Sequence, residues 1–191
     1  NLAPNTKIVG FDCGPGNILM DSWCQRHLGN TFDKNGVWAE SGKAIPTLLE
    51  ELMSLKFFSI PPPKSTGREV FNLTWLEKYL SGNENPEDVQ ATLLQLTSRA
   101  IADAILIWFP STTEVYLCGG GARNIALTSK IQISLPGKKV APTDVLGTNA
   151  DWLEAFAFAW LAKQTIQGTP SSIPSVTNAK GERILGAVYQ T

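Results

Sequence analysis

Two corners of one kind constrain this chain most. The first begins at Ile8-Val9-Gly10-Phe11-Asp12 and turns through Cys13-Gly14-Pro15-Gly16-Asn17: an apolar run ends in an acid, a Gly-Pro-Gly turn follows, and an apolar helix pattern opens at Ile18. The second is Glu114–Cys118, which reads as a strand, followed by Gly119-Gly120-Gly121-Ala122-Arg123-Asn124 and a helix pattern from near Arg123. Corners that run strand, glycine turn, helix belong to α/β folds, which place chemistry at strand ends. Glycine there lets backbone N–H groups approach a ligand such as phosphate. Two such corners point to two glycine loops facing one cleft. Neither fits the dinucleotide fingerprint, and neither is followed by the Lys-Ser/Thr pair of the P-loop.

Between and after these corners the pattern is mainly helical. Ile18, Leu19, Trp23 and Leu28 space as a helix from Ile18 to Leu28, with Asn17 as the candidate cap and Gly29 as the stop. Asp21 admits two readings, a first-turn acid favoured by the helix dipole or a second carboxylate looking into the cleft. His27 reads as a last-turn residue meeting that dipole. Asp33-Lys34-Asn35-Gly36 is a hairpin or loop signal that Trp38 anchors, and Pro46 opens a short helix to about Leu55 with Glu50 and Glu51 on its solvated face. Pro61, Pro62 and Pro63 rule out a regular element from Phe57 to Arg68. The following Lys64-Ser65-Thr66-Gly67-Arg68 is either a surface loop or a loop for an anionic or hydroxyl-rich ligand. Asn72 caps a helix to Leu80.

Asn85-Pro86-Glu87-Asp88 is a helix start, and the stripe Val89, Leu93, Leu96, Ala100, Ile101, Ala104, Ile105, Trp108 predicts a core-facing helix to about Phe109. Ile125 to Ile133 predicts another helix, and Val140-Ala141 a short strand. Asp144 reads as a turn acid or, alternatively, as one reaching the cleft, with the turn role preferred. Ala150 to Ile166 is apolar on nearly every face, which predicts a buried helix. Glu154 lies inside it and needs a partner: a structural ion pair or cap, or a ligand hydroxyl. Arg183 to Tyr189 reads as a last strand.

Composition removes several classes of function. A net charge of −1 gives no electrostatic reason to bind nucleic acid or an anionic membrane, and no apolar run is long enough to span a bilayer. Cys13, Cys24 and Cys118 form neither metal spacing nor a disulfide framework. Reduced thiols in a cytoplasmic protein are the plain reading, with Cys13 a small apolar filler rather than a nucleophile.

Five stretches, GFDCGPGN (10–17), PPPKSTGRE (61–69), DVQATLLQLT (88–97), CGGGARN (118–124) and DWLEAFAFAWLA (151–162), together resemble the anhydro-N-acetylmuramic acid kinases, a family of the actin-like sugar-kinase ATPases. The resemblance runs over nearly the whole chain. It implies an α/β fold, the second lobe of a two-lobed (ribonuclease H-like) kinase, with a twisted mixed sheet flanked by helices. It also implies that residues 1–191 are a single C-terminal lobe, that an N-terminal lobe with a first phosphate loop is absent, and that the fragment alone is inactive and binds ATP weakly. The reaction implied is ATP-dependent opening of 1,6-anhydro-N-acetylmuramic acid with phosphorylation at O6. The cofactors implied are ATP and Mg²⁺; the partners are the anhydro amino sugar, the missing lobe and, as an option, a second copy in a homodimer.

By the same resemblance Asp12 is the general base, and Gly14 and Gly16 border the phosphates. Gly119, Gly120, Gly121 and Asn124 take the nucleotide, and Asp21, Glu154 and Lys64 meet the sugar. Where the family usually has threonine after the catalytic acid, this chain has Cys13, a weaker donor. A different class of reading is a non-catalytic nucleotide-binding module with an actin- or chaperone-like lobe.

Overall fold

A computed structural model of the chain describes residues 8–189. In chain order the helices are α1 (Ile18–Leu28), α2 (Val37–Ser41), α3 (Pro46–Met53), α4 (Lys56–Ser59), α5 (Leu73–Leu76), α6 (Pro86–Trp108), α7 (Ile125–Ser134), α8 (Leu153–Ile166) and α9 (Pro174–Thr177). Strands β1 (Glu114–Leu117) and β2 (Lys139–Pro142) lie either side of α7 in sequence and pair in parallel, Val115 opposite Val140.

Local chemistry accounts for most helix ends. Gly29 closes α1 in the left-handed region, φ 72°, its N–H on the Gln25 carbonyl. Asn72 caps α5 by accepting from the Trp75 N–H, and Asn124 caps α7 by accepting from Leu127 N–H at 3.0 Å. Proline opens α3 and α6, and Glu87 and Asp88 occupy the first turn of α6 beside its positive dipole end.

Helix α6 is the axis of the core. Val89, Leu93, Leu94 and Leu96 are fully buried, and α1, α2, α3 and α7 all pack on it. Around it gather Leu19, Met20 and Trp23 of α1, Leu48 and Leu52 of α3, Leu76 of α5, and Leu127 and Ile131 of α7. Removing this much apolar surface from water is the main favourable term in folding. Polar ties fix the register: Thr92 Oγ1 accepts from Ile45 N–H at 2.9 Å, Trp23 Nε1 donates to the Pro86 carbonyl at 2.8 Å, and Thr97 Oγ1 donates to the Gly16 carbonyl at 2.9 Å. At Gly42 the chain passes so close to the Glu87 carbonyl that a Cβ would overlap it.

Several expectations change. Among the described residues the expected mixed sheet is two parallel strands. Ile8–Asp12 is irregular; Asp12 N–H donates to the Lys64 carbonyl, and Ser175 Oγ to the Ile8 carbonyl. Arg183 to Tyr189 is likewise irregular. Residues 33–36 form a 3-10 turn rather than a hairpin, running straight into α2. Helix α8 is formed but not buried. Phe156, Phe158 and Trp160 are 60%, 71% and 52% exposed, since no described element packs broadly along it. Glu154 on the same helix is therefore exposed, and the partner that burial would have demanded is not required.

Candidate functional site

The first corner is built on Asp12. Ser65 Oγ donates to Asp12 Oδ2 at 2.7 Å and Thr66 N–H donates to the same oxygen at 2.9 Å. With Asp12 N–H on the Lys64 carbonyl at 3.1 Å, the acid is held at three points by the 64–66 loop. Its other oxygen, Oδ1, takes no bond from a described residue, and the side chain is exposed. A carboxylate oriented by one oxygen and open at the other is the geometry of a general base.

Lys64 supports this arrangement from behind. Its Nζ donates to the Phe57 and Phe58 carbonyls at 3.0 and 3.3 Å and lies 4.6 Å from the centre of the Phe57 ring. The loop that looked suited to an external anion thus directs its hydroxyl and amide at Asp12 and its ammonium at α4. Burial lowers the Lys64 ammonium from its ordinary value. Cys13, next to Asp12, is pushed up by burial, which keeps it a thiol and a poor nucleophile. His27 is elsewhere, its ring centre 4.1 Å from that of Trp23.

The turn after Asp12 carries the chain to the second corner. A Cβ on Gly14 would sit 2.9 Å from the Ala100 Cβ, so this glycine lets the turn lie on α6. Asn17 holds the cap position of α1 without a side-chain capping bond. Its amide instead faces the second glycine turn, 3.1 Å from where a Cβ on Gly121 would stand. Gly119 has φ 72°, ψ −175°, a conformation open almost only to glycine, and its N–H donates to the Ala150 carbonyl at 2.8 Å.

Two cavities flank this second turn and share Asn17 and Gly120. The smaller, about 260 Å³, is lined by Gly16, Thr97, Cys118 and Gly121 among others. The larger, about 430 Å³, is lined by Asn17, Asp21, Phe32, Asp33, Lys34, Asn35, Gly120, Arg123, Asn124 and Asp151. The structure therefore brings Gly16, Gly120 and Gly121 together at one cavity and Asp21, Gly120 and Asn124 at the other. Asp12, Gly14, Lys64, Gly119 and Glu154 line neither.

The larger cavity has a defined electrostatic wall. Asp33 is buried and accepts from Trp38 N–H at 3.0 Å through Oδ1 and from Ala39 N–H at 2.9 Å through Oδ2, which starts α2. Arg123 is committed to Asp144 at 3.2 Å and Asp151 at 3.1 Å, tying the glycine turn to the loop after β2. Asp144 also accepts from Ala150 N–H at 3.1 Å, the turn role expected of it. Asp21 is half-buried, and its carboxylate takes no hydrogen bond from a described residue. Burial, and then the neighbouring Asp33 carboxylate, raise it to about 6.

Sequence reasoning passed over Asp33, Phe32, Asn35, Arg123 and Asp151 as site residues. The signal for Asp33 was present as an acid just before Lys34-Asn35-Gly36, an arrangement that caps a following helix as readily as it turns a hairpin. Nothing local marks the other four. Among the described residues no group of three His, Cys, Asp or Glu side chains gathers as a metal site, and no helix is long and apolar enough to cross a membrane.

A family model described as anhydro-N-acetylmuramic acid kinase matches residues 1–191. Proteins named anhydro-N-acetylmuramic acid kinase from Nitrosospira multiformis and Nitrosomonas europaea are 59% and 57% identical over 189 residues, each alignment covering 99% of this chain and 52% of the relative. The protein of that name from Pseudomonas fluorescens is 50% identical over 190 residues, 98% of this chain and 52% of its own length. The chain spans about half the length of these curated relatives.

Proposed function

Because the chain belongs to the anhydro-N-acetylmuramic acid kinase family, we propose that it carries the catalytic acid and the nucleotide side of an ATP-dependent kinase that opens 1,6-anhydro-N-acetylmuramic acid with water and phosphorylates O6. In this reading it is the second lobe of an actin-like kinase. What the relatives carry in the other half of their length completes the cleft, and this chain alone does not turn over.

The chemistry follows from the residues. Water attacks the anomeric carbon and passes a proton to Asp12 Oδ1. The C1–O6 bond breaks, and the freed O6 attacks the γ-phosphorus as the bond to ADP breaks. Asp12 suits the first step because Ser65 and Thr66 hold Oδ2, leaving one oriented oxygen open; this is the observation that carries the reading. The second step is chiefly positioning and neutralisation of charge. Gly16, Gly120 and Gly121, with backbone N–H groups and no side chains at their shared cavity, suit the close approach of a nucleotide. Mg²⁺ in this reading arrives on the triphosphate. Asn124 stands on the nucleoside side, while Lys64 positions the loop that grips Asp12.

The test is ADP release in the presence of the anhydrosugar, measured on protein with the relatives' full length. Asp12→Asn is expected to lower kcat by at least about 10³-fold, the upper part of the range for one general base plus lost orientation, with ADP binding unchanged. Turnover that survives this substitution removes Asp12 from the mechanism. Nucleotide binding without any sugar-dependent turnover in the unaltered protein favours a non-catalytic nucleotide module.

A further inference from the structure

The larger cavity has a polarity that fixes which end of a nucleotide it can take. Its charged lining is Asp21, Asp33 and Asp151 against Lys34 and Arg123. The Arg123 guanidinium is already paired with Asp144 and Asp151, so it is not held in reserve for a phosphate. A triphosphate here would meet three lining carboxylates with Lys34 as the one lining cation outside an ion pair among the described residues, in a half-enclosed space where like charges repel strongly. An uncharged donor of hydrogen bonds would not.

Within this lining Asp21 stands apart. Asp33 spends both oxygens on the Trp38 and Ala39 N–H groups, and Asp151 faces Arg123. Asp21 is half-buried, projects from the first turns of α1, and its carboxylate takes no bond from any described residue, although burying a carboxylate without one is costly. Gly120 and Asn124, at the turn that the proposed function gives to the nucleotide, line the same space, as does the exposed aromatic ring of Phe32. Across the shared Asn17–Gly120 wall lies the smaller cavity with Gly16 and Gly121, whose named polar lining carries no carboxylate.

We infer that Asp21 is a nucleoside-binding residue: its carboxylate accepts from a ribose hydroxyl of the nucleotide in the larger cavity, and the phosphates run past Gly120 toward Gly16. This rests on the nucleotide reading above, and it moves Asp21 from the sugar side to the nucleotide side. A carboxylate matched to hydroxyl donors discriminates against a ligand lacking one, because its desolvation is then uncompensated.

The experiment is calorimetric titration of the protein at the relatives' full length with ADP, 2′-deoxy-ADP and 3′-deoxy-ADP. One charged hydrogen bond corresponds to about tenfold or more in Kd. The unaltered protein is expected to bind ADP about tenfold more tightly than at least one deoxy analogue. Asp21→Ala is expected to weaken ADP to the level of that analogue and leave the analogue unchanged, with Asp21→Asn, a closer fit in shape, as the control for folding. Equal binding of all three nucleotides by the unaltered protein overturns the role of Asp21 while leaving the nucleotide site standing. Discrimination that persists in both variants does the same. Absence of any ADP binding overturns the nucleotide reading itself.

Discussion

Asp12 and Asp21 are both acids placed near glycine turns, yet their surroundings give them opposite characters. Asp12 is exposed and gripped by donors; Asp21 is half-buried and bare, and burial together with Asp33 raises it to about 6. Linkage makes this visible as stability. The unfolded carboxyl titrates near 3.9, so the folded state binds the proton more tightly. The stability associated with the neutral acid is complete below about pH 4 and is lost as pH rises through about 6. At pH 7 an ionised Asp21 therefore opposes folding. Asp21→Asn should raise the melting temperature at pH 7 and have little effect near pH 4; a gain of equal size at both pH values would show that the acid's charge is not what the change relieves. Asp33 has both its oxygens occupied by N–H groups. Asp33→Ala removes two buried acceptors at once, and a loss of about 2 kcal/mol or more in urea unfolding is expected.

At the scale of elements, the packing of α2 and the loop after it against α6 depends on the bare backbone of Gly42. A methyl there would overlap the Glu87 carbonyl, which belongs to a helix end and has little room to yield. Gly42→Ala should cost about 1–3 kcal/mol, read as a lower urea midpoint with an unchanged slope. Elements of this sort also show what can be read from a sequence. The span of α6, Pro86–Trp108, was visible in advance because its start signal and its apolar stripe are local. So were the cap at Asn72 and the pairing region at Val140. Among the described residues no strand forms at Ile8–Asp12; strand formation depends on pairing with distant chain, which no sequence window contains. The 64–66 loop was recognised as chemically rich, but its target, Asp12, lies more than fifty residues earlier, beyond what spacing reveals.

For the molecule as a whole, burial is uneven. The first half of α6 is enclosed, while Leu106, Ile107 and Trp108 at its end, and Phe156, Phe158 and Trp160 on α8, face solvent. Apolar patches of that kind attract dyes, other chains or more of the same chain. The protein as this chain should bind an apolar fluorophore strongly, and replacing Phe158 and Trp160 by glutamine should reduce that signal while changing stability by no more than about 0.5 kcal/mol per site. A large loss of stability instead would mean that α8 is packed in solution. The expectation of a buried α8 came from composition alone, and composition cannot say what stands opposite a helix.

The grip on Asp12 has one more use. Thr66 offers its amide hydrogen to the same carboxylate oxygen that Ser65 holds, so that hydrogen samples the acid's electron density directly. In a nitrogen-edited nuclear magnetic resonance spectrum the Thr66 cross-peak becomes a resident gauge: any ligand that draws Oδ2 away will displace it, with no label on the acid and no substitution in the chain.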